Sequence, residues 1–158
     1  MEHREKPVTI LMADDDPDDC LLVKEAFEEG RFHNDLLCVE DGNDLMDYLH
    51  RRGKFSDLRL SPLPGLILLD LNMPKKDGRE ALKEIKTDPG LRNIPIVVLT
   101  TSKEETDVLR AYDLGANSFI TKPETFQTLI EIVQSIGKYW FEVVKLPSGE
   151  KEELHRDE

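Results

Sequence analysis

Cysteine, positive charge and long apolar runs are all scarce in this chain, and each scarcity closes a class of reading. Only Cys20 and Cys38 occur in the 158 residues, and neither belongs to a C-x-x-C pair or another metal-ligand spacing. Each lies in a stretch that reads as regular apolar structure, so both are expected as core thiols in a reducing compartment. Lys and Arg number 21 against 33 Asp and Glu, for a net charge of -12. Binding a nucleic-acid backbone needs a basic patch that displaces counterions, so no nucleic-acid partner is expected. An acidic chain remains free to hold a divalent cation. The start, MEHREKPVTILMA, puts two basic residues before an apolar stretch too short for a signal-peptide core, and no later run approaches a membrane span. The expectation is a cytoplasmic protein with no membrane partner.

The remaining composition is that of one folded domain. The length suits a single core but not two. Apolar residues make up 39% and charged residues 34%, too apolar and too mixed in pattern for a disordered chain.

Val8 to Ala13 (VTILMA) reads as a strand buried on both faces of a parallel sheet, and it ends abruptly in acid. Asp16-Pro17 opens a helix running to Glu29, with Asp as N-cap, Pro at the first position, Asp18 and Asp19 in the first turn, and Gly30 as the stop. Leu36 to Val39 is a second strand. Asn43 to Arg52 carries Leu45, Met46 and Leu49 at helical spacing before Gly53. Residues 54–65 hold Ser61, Pro62, Pro64 and Gly65 and read as a loop without regular structure, long for a compact domain. Leu66 to Leu69 is a third strand, and a third helix spans roughly Gly78 to Lys86. Ile94 to Leu99 is a fourth strand ending at Thr100, and Glu104 to Leu114 a fourth helix closed by Gly115. Ser118 to Thr121 is a fifth strand ending at Lys122-Pro123. Phe126, Leu129, Ile130, Val133, Ile136, Gly137, Trp140 and Val144 recur at offsets of three and four and predict a last helix over 126–144. Tyr139, Trp140 and Phe141 are consecutive, so at least one must project outward. The tail after Pro147 is charged and is expected to fray.

Strands alternating with helices across short connections predict an α/β fold: a doubly wound, five-stranded parallel sheet with five helices. In such sheets the functional site lies beyond the carboxyl ends of the strands. The residues there are Asp14, Asp15 and Asp16 after the first strand, Asp70 after the third, Thr100 after the fourth and Lys122 after the fifth. Carboxylates gathered at one edge repel one another unless a cation neutralises them, and a hard divalent ion such as Mg²⁺, with oxygen ligands, suits that task. Asp70 is then available as a nucleophile toward phosphorus. The three equatorial oxygens of a transferred phosphoryl group would be met by the metal, the Lys122 ammonium and the Thr100 hydroxyl.

Taken singly, these residues have plainer explanations. Helix capping accounts for Asp16, Asp18 and Asp19, and we assign those three a structural role. Asp14 and Asp15 precede the cap and lean toward metal binding. Thr100 alone could simply end a strand, and Lys122 alone could be a solvated surface lysine. The company of Asp70 promotes Thr100, and the position of Lys122 before Pro123, across a bond open to the cis form, favours a positioned role.

The segments ILMADDD, LILLDLNMPKKDG, VVLTTS and SFITKP together resemble the receiver domain of bacterial response regulators, over about residues 8–140. The resemblance implies a flavodoxin-like fold of receiver type spanning residues 8–146, between a tail at 1–7 and a charged tail at 147–158. It implies Asp14 and Asp15 as the acid pair, with Asp15 a direct Mg²⁺ ligand. Asp70 becomes both metal ligand and phosphoacceptor, and the backbone carbonyl of Asn72 completes the coordination. Thr100 becomes the switch hydroxyl, Lys122 the ion-pair partner of the phosphoryl group, and Phe119 the aromatic that turns inward afterwards, although a packed core Phe is an equal reading of that residue.

Little chain follows residue 145, so the expectation is a single-domain regulator that acts by protein contact in a phosphorelay and catalyses only its own phosphorylation and dephosphorylation. The long loop before LILLDLN, the KKDGREAL run and the ending KYWFEVVKLP are most similar to regulators that partner phytochrome-type histidine kinases. In such relatives the face made by the fourth helix, fifth strand and fifth helix often forms a homodimer.

Three other readings fit less well. A haloacid-dehalogenase-type phosphatase shares the aspartate nucleophile, Mg²⁺, hydroxyl and lysine, but needs an acid two residues after the nucleophile, where Asn72 stands. An FMN carrier needs a first loop that cradles phosphate, and Asp14 to Asp16 would repel it. A receiver acting purely as an interaction module would have no use for the full set of reactive residues.

Overall fold

The computed structural model describes residues 8–58 and 61–147; the two terminal tails, as expected at 1–7 and beyond Pro147, lie outside the described residues. Its elements are β1 (Ile10–Ala13), α1 (Pro17–Glu29), β2 (Leu36–Val39), α2 (Gly42–His50), a 3₁₀ helix at Gly53–Leu58, β3 (Leu66–Leu69), α3 (Gly78–Thr87), β4 (Ile96–Thr100), α4 (Glu105–Leu114), β5 (Ser118–Thr121) and α5 (Phe126–Gly137). A π-helical turn at Lys138–Val143 extends α5. All strands pair in parallel, in the order β2-β1-β3-β4-β5.

The apolar strands are continuous because both sheet faces are covered, and alternate residues serve different cores. Leu11, Ala13, Ile67, Leu69, Ile96 and Val98 pack with α2, α3 and Ala111 of α4. Ile10, Met12, Leu66, Leu68, Val97 and Leu99 pack on the other face with Val23, Ala26 and Phe27 of α1 and Leu129, Val133 and Ile136 of α5. Burying a Leu or Ile side chain this way contributes about 1.5–3 kcal/mol, which is why the interior strands β1, β3 and β4, buried at every residue, are its best-anchored strands. The strand order reverses between β1 and β3, so the loops after them diverge and leave a crevice at their carboxyl ends.

Several expectations shift. Residues 54–65 are not an unstructured loop, because the 3₁₀ helix occupies their first part. Arg51, in the left-handed region at φ 56°, ends α2. Its guanidinium donates to the carbonyls of Tyr48 at 2.7 Å and Pro62 at 2.8 Å, and lies 4.6 Å from the centroid of the Tyr48 ring. The ring of Phe55 packs edge-on against Tyr48 at 5.3 Å, so the segment is pinned at both ends.

The first and fourth strands begin two residues later than expected, at Ile10 and Ile96. The regular α-helix of α5 ends at Gly137 instead of reaching Val144, and Phe126 is exposed at its start. Phe141 packs edge-on against Phe27 and Phe32, while Tyr139 projects outward. The Lys122-Pro123 bond is trans. Cys20 of α1 and Cys38 of β2 are joined as a disulfide across a Cα separation of 6.5 Å, contrary to the expectation of two core thiols. Sequence spacing gave no sign of this, because the parallel pairing of β1 with β2 is what brings Cys38 under α1.

Candidate functional site

Three of the charged groups at the strand ends are each placed by a backbone bond of the sheet. The Asp14 amide donates to the Val39 carbonyl, the Asp70 amide to the Ala13 carbonyl, and the Lys122 amide to the Thr100 carbonyl. Asp16 caps α1 as expected, accepting from the Asp18 amide, and the Asp16 amide in turn donates to Asp14 Oδ1 at 2.9 Å. The turn of chain that caps the helix therefore also aims the first carboxylate.

Glycine is required where α3 begins. A Cβ on Gly78 would run into the Asp70 carbonyl oxygen and Leu71 backbone, so only glycine lets this helix start directly against the loop that carries Asp70. Asp77 caps α3 by accepting from the Arg79 amide.

Asp14, Asp70 and Thr100 are buried, and Asp15 is exposed. Asp70 Oδ1 accepts from the Thr100 hydroxyl at 2.7 Å and from the Asn72 amide at 3.1 Å. The Lys122 side chain is only 9% exposed, which rules out a solvated surface lysine. It donates to Asp14 Oδ2 at 2.6 Å and Asp19 Oδ2 at 2.7 Å, and stands 3.5 Å from Asp70 Oδ2. Burial pushes the Asp14 carboxyl up to about 6, although its bonds from Lys122 and the Asp16 amide oppose this. Burial works to lower the Lys122 pKa, yet the bonds to Asp14 and Asp19 and the charge of Asp70 outweigh it and hold the ammonium above the usual lysine range.

One carboxylate oxygen from each of Asp14, Asp15 and Asp70 falls within a cluster no wider than 4.8 Å. The donors are all hard oxygens, and the exposed Asp15 leaves a side open to water. Both features fit a divalent cation of the Mg²⁺, Mn²⁺ or Ca²⁺ kind and disfavour a thiolate-seeking metal. Lys122 alone cannot balance Asp14, Asp15, Asp19 and Asp70, so the negative charge left over also favours a cation.

Asp19 stands in the first turn of α1, as the sequence reading has it, and its carboxylate in addition shares Lys122, which that reading did not foresee. The available signal was its place in the first turn of α1, next to the loop that follows β1. Phe119 is partly buried against the core rather than fully enclosed, and its amide donates to the Tyr112 hydroxyl at 3.1 Å. Asn72 is exposed beside Asp70.

Residues 10–134 match the family described as the response regulator receiver domain. The chain belongs to that family. It is 44% identical over 143 residues to the response regulator Rcp1 of Synechocystis sp., covering 90% of this chain and 95% of Rcp1. It is 41% identical over 138 residues to the probable methanogenesis regulatory protein FilR2 of Methanothrix harundinacea, covering 86% and 85% of the two chains. Among solved structures, the phosphorylated cyanobacterial phytochrome response regulator RcpA superposes with a TM-score of 0.84 at 41% identity, covering 90% of this chain and 99% of that one. The Mn²⁺-bound form of Rcp1 gives 0.83 at 44% identity, covering 89% and 99%. This receiver thus keeps its acidic cluster in a fold whose relatives have been solved with a divalent metal and in a phosphorylated form.

Proposed function

We propose that this receiver takes a phosphoryl group from a histidine kinase onto Asp70, with Mg²⁺ held by Asp14, Asp15, Asp70 and the Asn72 carbonyl. The observation that carries the reading is the convergence on Asp70 of the Thr100 hydroxyl, the Lys122 ammonium and two further carboxylates. A bound divalent ion supplies charge neutralisation at one phosphoryl oxygen. In the transfer, the N–P bond of the kinase phosphohistidine breaks as an O–P bond forms to the Asp70 carboxylate, and the departing histidine nitrogen keeps the electron pair. Lys122 meets the second phosphoryl oxygen, and its bonds to Asp14 and Asp19 fix the ammonium in advance. Thr100 redirects its hydroxyl from Asp70 Oδ1 to the third, and Phe119 turns inward as the loop follows. Hydrolysis later returns Asp70 to the carboxylate. The protein catalyses its own phosphorylation and dephosphorylation and has no other substrate.

The receiver occupies residues 8–146 between the two tails. A phytochrome-type kinase is the partner we favour, on the likeness to RcpA. Exposed Leu109 and Tyr112 on α4 and Tyr139 beyond α5, beside the edge strand β5, support a homodimer through that face. The reading carries a cytoplasmic location with it.

The test is intact mass after incubation with a small phosphodonor, with and without Mg²⁺, on wild type and Asp70→Asn. The expected result is a gain of one phosphoryl group that needs both the metal and Asp70. No gain by folded protein under any condition overturns the proposal, and steady phosphate release from many monoesters would mark a phosphatase.

A further inference from the structure

An ion pair outside the acidic cluster joins the loops on which phosphoryl acceptance depends. Arg79, in the first turn of α3, donates from Nε and Nη2 to the two carboxylate oxygens of Asp107 at 2.8 and 2.7 Å. Its Nη1 donates to Asp77 at 3.0 Å and lies 3.4 Å from the Leu71 carbonyl and from Asn72 Oδ1. Asp107, in the first turn of α4, also accepts from the Ser102 hydroxyl at 2.6 Å. The Ser102 carbonyl accepts from the Thr121 hydroxyl at 3.3 Å, directly before Lys122 in the chain. Arg79 and Asp107 therefore tie the segment after Asp70 to the segment after Thr100, and through Ser102 to the end of β5.

The element held by this pair has little else to hold it. Helix α4 buries only Ala111, and its N-cap residue, Glu104, makes no side-chain capping bond. By contrast α3 buries Gly78, Ala81, Leu82 and Ile85 and is capped by Asp77. The two-toothed geometry is the form in which a partly exposed Arg–Asp pair counts most. The Asp107 carboxyl is held down to about 2, first by the Arg79 bonds and then by the Ser102 hydroxyl.

In the receiver reading, phosphorylation redirects the Thr100 hydroxyl away from Asp70 Oδ1, which it now meets at 2.7 Å. Ser102 stands two residues after Thr100 with its amide 3.5 Å from Thr100 Oγ1, so displacing Thr100 loads the Ser102 loop. We propose that Arg79 and Asp107 are positioning residues whose ion pair latches the Ser102 loop and the first turn of α4 in the unphosphorylated arrangement, so that phosphoryl acceptance must work against it. This rests on the receiver reading above. Neither side chain touches Asp70 itself; Asp107 acts through Ser102, and Arg79 acts through Asp107 and through its contacts with the Leu71 carbonyl and Asn72 Oδ1.

The experiment compares Asp107→Asn, Arg79→Gln and the double variant with wild type for the rate of phosphoryl gain from a small phosphodonor at saturating Mg²⁺, with hydrogen exchange of residues 101–108 followed in parallel. Each single variant is expected to gain the group about fivefold faster or more, the low end of ordinary coupling between sites. The double variant should be no faster than the singles, because one interaction is removed in all three. Exchange at 101–108 should rise in every variant before any phosphodonor is added, and Asp107→Glu should return both readings toward wild type. Folded single variants whose rates stay within twofold of wild type, or fall below it, overturn the latch and leave the pair a stability device only. Wild type that gains no group overturns the receiver reading and the latch together.

Discussion

The strands that carry the carboxylates and the elements that follow Thr100 are built to different standards. Every residue of β1 and β3 is buried, and α1 and α5 close over them with Val23, Ala26, Phe27, Leu129, Val133 and Ile136. Past β4, itself buried throughout, β5 is an edge strand with no fully buried residue, and α4 buries a single alanine. The carboxylates stand on the firm side and the Thr100 loop leads into the loose one. A receiver needs that division. The nucleophile and its metal ligands must hold still to within a fraction of an ångström, while the readout surface must change at modest cost.

The comparison is broken most severely by removing the charge that stabilises the firm side. Lys122→Ala leaves Asp14, Asp19 and Asp70 without their shared cation, and losing one partner of a buried charged group costs about 3–5 kcal/mol. Urea unfolding at pH 7 without divalent ions should show a loss of that size. The loss should shrink on adding Mg²⁺ if the cluster binds it. Next comes the apolar contrast between the two sides. Leu68→Ala in β3 should cost about 2–5 kcal/mol, whereas Leu109→Ala, on the exposed face of α4, should stay within about 0.5 kcal/mol.

A smaller, pH-dependent effect sharpens the picture. Asp14 is raised from 3.8 to about 6 in the fold, so the native state binds its proton more tightly than the unfolded chain does. The contribution is stabilising below about pH 4 and is lost as pH rises through about 6. A metal must displace that proton, so Mg²⁺ affinity should fall up to about tenfold per pH unit below 6. Calorimetric titration between pH 5 and 7.5 checks the slope, and a flat profile would remove Asp14 from the ligand set.

Much of this was legible from residue order alone, for definite reasons. The bounds of α1, β2, β3 and β5 follow from abrupt chemistry at their ends: an Asp-Pro opening, a charge directly after an apolar run, a glycine stop. The strand-end set of Asp14, Asp15, Asp70, Thr100 and Lys122 was visible because parallel topology sends all those ends to one edge, and the structure does bring the five together. What was missed depends on contacts between distant positions. The 3₁₀ helix at Gly53–Leu58 buries no residue fully and is held by Phe55 against Tyr48 and by Arg51 reaching to Pro62. Lys122 finds Asp19 across 103 residues, and Arg79 finds Asp107 across 28. The cysteine pair depends on strand pairing. Phe126 fits the helical stripe by spacing, but it stands at the very start of α5, before the helix reaches the sheet.

Hydrogen exchange of the free and phosphorylated protein, compared peptide by peptide, tests the division of labour most directly. The account predicts changed protection across residues 101–122, covering the Thr100 loop, α4 and β5, with β1, β3 and α1 unaltered. Equal change on both sides of the sheet, or change confined to α1 and β1, would contradict it.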